Sequence, residues 1–195
     1  MYNSVNSRYT YENSDVIRNK MNIKDEETLK KFETKIVAFK LSAINFSKIK
    51  RDFTENHFKA IHKYLFDEVY DFAGEYRNEN ITKENFRFSE YEYIEENIKK
   101  IFEKIDVNNL KNKNFDELIS FISEIMTDLN VLHPFREGNG RTIREFIREL
   151  LDECGYEVDF LNVDYNLILK ASILAVIDDK EQIKLLKDIV KKKWL

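Results

Sequence analysis

The chain has 195 residues, 43% hydrophobic and 35% charged, with a net charge of −4 at pH 7 and a pI near 5.6. That length buries a sizeable core without disulfides or metal staples, four glycines and one proline are too few for the turns of an all-β fold, and the acidic balance offers no basic field for nucleic-acid phosphates. One cysteine, Cys154, rules out an internal disulfide and fits a reducing compartment; with no secretion-signal core and no run long enough to span a bilayer, the expectation is a single all-α domain over residues 1–195, cytoplasmic and away from membranes.

Taken in chain order, Asp25 is placed to cap a first helix with Leu29, Phe32, Ile36, Phe39 and Ala43 at helical spacing. Thr54 opens a second, with Phe58, Ile61, Leu65, Val69 and Phe72 facing inward and Gly74 as its stop. His57 and His62, five apart on that helix, do not share a face well enough for a metal pair and read as structural. From Tyr76 to Ser89 the asparagines Asn78, Asn80 and Asn85 interrupt, and Phe86-Arg87-Phe88 alternates apolar with charged, which predicts a short hairpin or extended loop. Helix resumes near Glu90 with Ile94, Ile98, Ile101 and Ile105. Asn114 with Glu117 caps a long helix whose stripe is Phe115, Leu118, Ile119, Ile122, Ile125, Met126 and Leu129. Pro134 disfavours helical backbone before it, so this helix ends at or just before His133. The next helix starts around Gly138 to Arg141 and runs to Gly155. Two more, about 163–177 and 179–193, close the chain, with Lys191-Lys192-Lys193 as a solvated helix end.

Residues 133–144 hold the only proline, two of the four glycines and one of the three histidines. Gly138-Asn139-Gly140 at a helix start permits close approach by an anion, toward which the N–H groups of the first turn point. Arg141 and Arg144, three apart on one face, can converge on a polyphosphate. Glu137 beside that anion is tolerable only with an intervening cation, for which Mg²⁺ bridging carboxylate and phosphate oxygens is the natural choice. His133 can take a proton from an incoming hydroxyl near neutral pH. Phe135 reads as an apolar peg anchoring the loop.

The run His133-x-Phe135-x-Glu137-Gly138-Asn139-Gly140-Arg141-x-x-Arg144 resembles the signature of the Fic family, His-x-Phe-x-(Asp/Glu)-Gly-Asn-Gly-Arg-x-x-Arg, with every defining position filled. The resemblance covers roughly residues 55–155, including Ile61-His62, Leu65-Phe66, Val69-Tyr70, Ala73-Gly74, Arg77 and Phe86-x-Phe88, flanked by N- and C-terminal helical extensions. It implies a Fic fold, a multi-helix core with a short β-hairpin flap, and transfer of AMP from ATP to a Tyr, Thr or Ser hydroxyl of a target protein. His133 would be the base, Glu137 would hold Mg²⁺, Asn139 with the backbone at Gly138 and Gly140 would bind phosphates, and Arg141 and Arg144 would meet the β and γ groups. Flap residues from Ile81 to Phe88, among them Phe86 and Arg87, would dock the target by strand addition.

Many members of that family are restrained by a Glu within Ser/Thr-x-x-x-Glu-(Gly/Asn). Here Ser120-x-x-x-Glu124 is followed by Ile125, and Glu12-Asn13 has Arg8 where Ser or Thr should stand. Glu55, Glu79, Glu84 and Glu96 precede an asparagine but lack Ser or Thr four positions upstream. The resemblance therefore implies a toxin whose inhibitory Glu comes in trans from a small antitoxin, with a type II topoisomerase as a conceivable target. Three alternatives stand beside this. Doc-type phosphorylation would need a lysine in place of Gly140, transfer of UMP or phosphocholine is open to the same motif, and a catalytically idle interaction domain is disfavoured by an intact His133 and Glu137. A Walker-type NTPase lacks its Lys-Ser/Thr.

Overall fold

The computed structural model describes residues 7–83 and 86–193. Helix α1 (Glu26–Ala43) starts where the Asp25 carboxylate accepts the Thr28 N–H at 2.8 Å. Its buried face centres on Leu29, Glu33 and Val37, with Phe32 and Ile36 of the expected stripe half-buried against the core and Phe39 69% exposed. The cause is tertiary: Glu33 is held inward by Tyr70 and Arg141. Helix α2 (Glu55–Phe66) is capped by Thr54 and stops eight residues before Gly74. The intervening turns use their backbone elsewhere, with the Lys20 N–H donating to Val69 O at 2.9 Å and the Gly74 N–H to His62 Nδ1 at 2.8 Å.

Strands β1 (Thr82–Lys83) and β2 (Phe86–Arg87) form an antiparallel hairpin with Thr82 opposite Arg87 and Lys83 opposite Phe86. Its connecting Glu84 and Asn85, the latter counted among the interrupting asparagines, lie outside the described residues. A single 3-10 turn at Tyr91–Tyr93 leads into α3 (Ile94–Glu103), which buries Ile94, Ile98 and Ile101, while Ile105 falls beyond its end. A short α4 (Val107–Asn112), capped by Asp106, was not anticipated from the sequence.

Helix α5 (Phe115–Leu132) carries the full capping box, Asn114 accepting from Glu117 N and Glu117 accepting from Asn114 N. Such a cap is worth about 1 kcal/mol. It buries Leu118, Ile119, Ile122, Ile125, Met126, Leu129 and Leu132. Helix α6 (Asn139–Glu153) packs against α5 and α2, and α5 in turn against α3, so the two helices flanking the signature loop form the centre of the apolar core. The loop between them therefore hangs from the least deformable part of the molecule.

Helices α7 (Tyr165–Leu174) and α8 (Lys180–Ile189) follow. The tail lysines are not a helix end. Lys191 and Lys192 belong to β4 (Val190–Lys192), antiparallel to β3 (Tyr156–Val158), with Lys191 opposite Glu157 and Val190 opposite Val158. Opposite charges and a β-branched pair across the ladder favour this ribbon over a last helical turn. The fold is thus mostly helical, with two small ribbons. Among the described residues no helix is long and apolar enough to cross a membrane.

Candidate active site

His133 caps α5 in the left-handed conformation, φ 47° and ψ 60°, a geometry that ends the helix and aims the chain into the loop. Arg77 holds this end: its Nε donates to His133 O at 2.7 Å, an Nη to Leu132 O at 3.1 Å, and its backbone N–H to Pro134 O at 2.8 Å. A buried guanidinium at a helix C-terminus satisfies carbonyls that have no helical donor. Burial lowers the Arg77 pKa to about 10.

The His133 ring is buried. Its Nδ1 lies 3.0 Å from Asn130 O, and since a carbonyl can only accept, Nδ1 carries the proton and the basic lone pair sits on Nε2. Burial lowers its pKa to about 3, so the imidazole is neutral at physiological pH. Phe88, just past β2, stacks on this ring at 3.9 Å.

The loop itself is fixed from below. Phe135 is fully buried, stacked on His62 at 3.7 Å and packed on Phe58. His62 Nδ1 accepts from Gly74 N, so its Nε2 donates to Glu137 O at 2.9 Å. Both ring nitrogens are occupied in the neutral form, and burial lowers the His62 pKa to about 3. Gly138 has φ +82°, and a Cβ there would meet the Phe66 ring at 2.3 Å, so only glycine fits. The side chain of Asn139, which the resemblance implies as a phosphate ligand, is engaged with the loop itself. Its Oδ1 accepts from Phe135 N at 2.9 Å and its Nδ2 donates to Phe135 O at 2.7 Å, closing the loop on itself. What remains for an anion is the backbone: the first-turn N–H groups of α6 have no helical acceptor.

Glu137, Gly138, Asn139, Gly140, Arg141 and Arg144 line one cavity of about 860 Å³ that continues along α1 past Leu29, Val37 and Leu41 to Phe160 and Ile168. His133 is not part of this lining; it lies at the other end of the loop, under the flap. Arg144 makes no hydrogen bond or ion pair among the described residues, and a Cβ at Gly140 would crowd its guanidinium at 3.2 Å. Burial lowers the Arg144 pKa. Arg141, by contrast, is paired with Glu33 at 2.6 Å and lies over the Phe66 ring at 4.7 Å. The Glu137 carboxylate accepts from Gly138 N at 2.9 Å and stands 3.5 Å from Arg141.

In the flap, Arg87 is exposed and paired with Glu90, and Phe86 is partly exposed. Ile81 is fully buried, so its side chain anchors the flap and only its backbone is left for strand addition. Arg77, His62, Tyr70 and Glu33 all hold the site, yet none was singled out for such a role from sequence. His62, read as structural, stood with Tyr70 and Arg77 in the run that resembles the family, and Glu33 carried no signal.

A buried histidine closing one helix and a glycine-flanked N-terminus opening the next, beside a hairpin, define a Fic fold. The model of the Fic/DOC family matches residues 52–151, and the chain belongs to that family. It is 36% identical over 173 residues to the protein adenylyltransferase VbhT of Bartonella schoenbuchensis, covering 88% of this chain and 36% of that protein, so it spans little more than a third of that relative's length. It is 30% identical to the probable protein adenylyltransferase y4lH of Sinorhizobium fredii, over 88% of this chain and 89% of the relative. Among solved structures, the N-terminal Fic domain of a putative cell filamentation protein from Bartonella quintana with bound ADP superimposes with a TM-score of 0.86 at 27% identity, covering 95% of each chain.

Proposed function

We propose that the chain is a protein adenylyltransferase that moves the AMP moiety of ATP onto a Tyr, Thr or Ser hydroxyl of another protein. The carrying observation is the joint placement of a neutral, Nδ1-protonated His133 and the first-turn N–H groups of α6, from Asn139 to Arg141, on the two ends of one rigid loop. The relatives named above, adenylyltransferases by name, support the same reading. The target hydroxyl gives its proton to His133 Nε2 while its oxygen bonds the α-phosphorus. The bond from that phosphorus to the oxygen bridging to the β-phosphate breaks, and pyrophosphate leaves with the electron pair. Arg141 and Arg144 hold the β and γ groups. Strand addition at the hairpin brings the target segment beside His133.

Glu137 is a fitting ligand for Mg²⁺: its carboxylate lines the cavity beside Gly138 to Arg144, where the neighbouring Glu33 is already paired with Arg141 and Tyr70. Among the described residues no group of three or more acidic, His or Cys side chains could hold an ion, and Glu137 would be its ligand from this chain. When bound it neutralises charge on the leaving phosphates. Mass spectrometry of a bacterial lysate incubated with the chain, Mg²⁺ and ATP tests this reading: AMP-bearing peptides support it, and their absence from the whole proteome contradicts it.

We further propose a cytoplasmic toxin restrained by a small antitoxin that supplies a Glu in trans. The support is Arg144, without an acceptor among the described residues, in a largely apolar cavity of about 860 Å³ that runs along α1. A synthetic helical peptide carrying Ser-x-x-x-Glu-Gly should inhibit the wild-type chain and not Arg144→Ala; strong activation on deleting residues of this chain alone would contradict the scheme. A type II topoisomerase is the first target to try, on the resemblance alone.

A further inference from the structure

Glu33 lies on α1, outside the signature, yet it reaches the phosphate pocket and is almost wholly buried. One carboxylate oxygen pairs with an Arg141 Nη at 2.6 Å. The other accepts from the Tyr70 hydroxyl, which burial and the neighbouring Glu33 charge keep protonated. Arg141 is further confined by the Phe66 ring beneath it and Glu137 beside it. A carboxylate in a phosphate pocket can act in two ways. As a competitor for Arg141 it would have to let go when nucleotide arrives, leaving a buried charge and a buried phenol without partners, an expensive state. As a tether it stays, with both oxygens used and its charge neutralised by the arginine it holds.

We infer that Glu33, locked by Tyr70, is a positioning residue that fixes the Arg141 guanidinium so that its remaining N–H donors face the nucleotide's phosphates. The planar fork of Arg suits this division, one edge on a carboxylate and the other on a phosphate. The tether also explains why α1 turns Glu33 and Val37 inward while leaving Phe39 in solvent. It rests on the reading of Arg141 as a phosphate ligand.

The test is nucleotide affinity, measured by calorimetry with Mg²⁺ on the full chain, for ATP and for adenosine, in Glu33→Ala, Glu33→Gln, Tyr70→Phe and Arg141→Ala. A guanidinium released from its tether should weaken ATP about tenfold or more in Glu33→Ala, since small misplacements of binding groups are costly, with adenosine affinity unchanged. Glu33→Gln keeps an acceptor for Arg141 and should stay within about twofold for ATP, and Tyr70→Phe should lose about threefold, again only where phosphates are present. These two milder variants decide the matter if Glu33→Ala does not fold. Equal losses for ATP and adenosine would mean a merely structural role and overturn the inference, as would tighter ATP binding by Glu33→Gln. Loss of ATP affinity in Arg141→Ala alone, with Glu33 and Tyr70 variants unaffected, would overturn the tether and leave the clamp standing. No loss even in Arg141→Ala would overturn the clamp itself.

Discussion

His62 makes the stability of the active-site loop depend on pH. In the neutral imidazole, Nδ1 accepts from Gly74 N and Nε2 donates to Glu137 O; a second proton would face the Gly74 N–H and cancel that bond inside the core. The ring is fully buried and its pKa falls from 6.5 to about 3. Because the folded value is depressed, the unfolded chain takes up the proton first. Stability is full above pH 6.5 and declines as pH falls toward 3. At about 1.4 kcal/mol per unit, pH 5 removes about 2 kcal/mol through His62. Urea unfolding at pH 7.5 and pH 5.0 of the wild-type chain and His62→Gln isolates this share, because His133, also held near 3, contributes to both. His62→Gln should be weaker by about 1–3 kcal/mol at pH 7.5, for one lost hydrogen bond and a group left unpaired, but its further loss at pH 5.0 should be smaller than the wild type's by about 2 kcal/mol. Equal losses between the two pH values would refute the reasoning.

Gly138→Ala should destabilise the chain by about 2–5 kcal/mol, summing 1–2 for left-handed backbone and 1–3 for overpacking against Phe66; a melting temperature within a degree of wild type would contradict it. Arg144→Ala should weaken ATP about 10- to 100-fold by removing a charge-assisted contact while leaving AMP affinity unchanged in calorimetry. Phe88→Ala uncovers a ring stacked at 3.9 Å, so an NMR titration should find the His133 pKa risen from about 3 toward 6.5; an unmoved value would show that other groups keep it dry.

The helices around the site were legible because their signals are local. Asn114 with Glu117, Asp25, Thr54 and Pro134 each act within four residues, and the stripe of α5 repeats at 3.6. The signature loop was legible for the same reason. Contacts across distance were not. Nothing near Glu33 in the chain announces Tyr70 or Arg141, so the spacing extends the stripe to Phe39 where the helix instead buries Glu33 and Val37. The β3–β4 ribbon joins segments more than thirty residues apart, and three successive lysines resemble a helix end until Glu157 is placed opposite one of them. The hydrogen bonds of Asn139 to Phe135, four residues back, appear only once the loop is folded.

The most direct test of AMP transfer by this loop is label transfer. The purified chain and its His133→Ala variant are incubated with bacterial lysate, Mg²⁺ and ATP labelled at the α or the γ phosphate. Label reaching a protein band from α-labelled ATP only, and lost with His133→Ala, is the result predicted here. Transfer from the γ label would mean a phosphoryl transferase on the same scaffold, and α-label transfer that survives His133→Ala would contradict the assignment of His133 as the base.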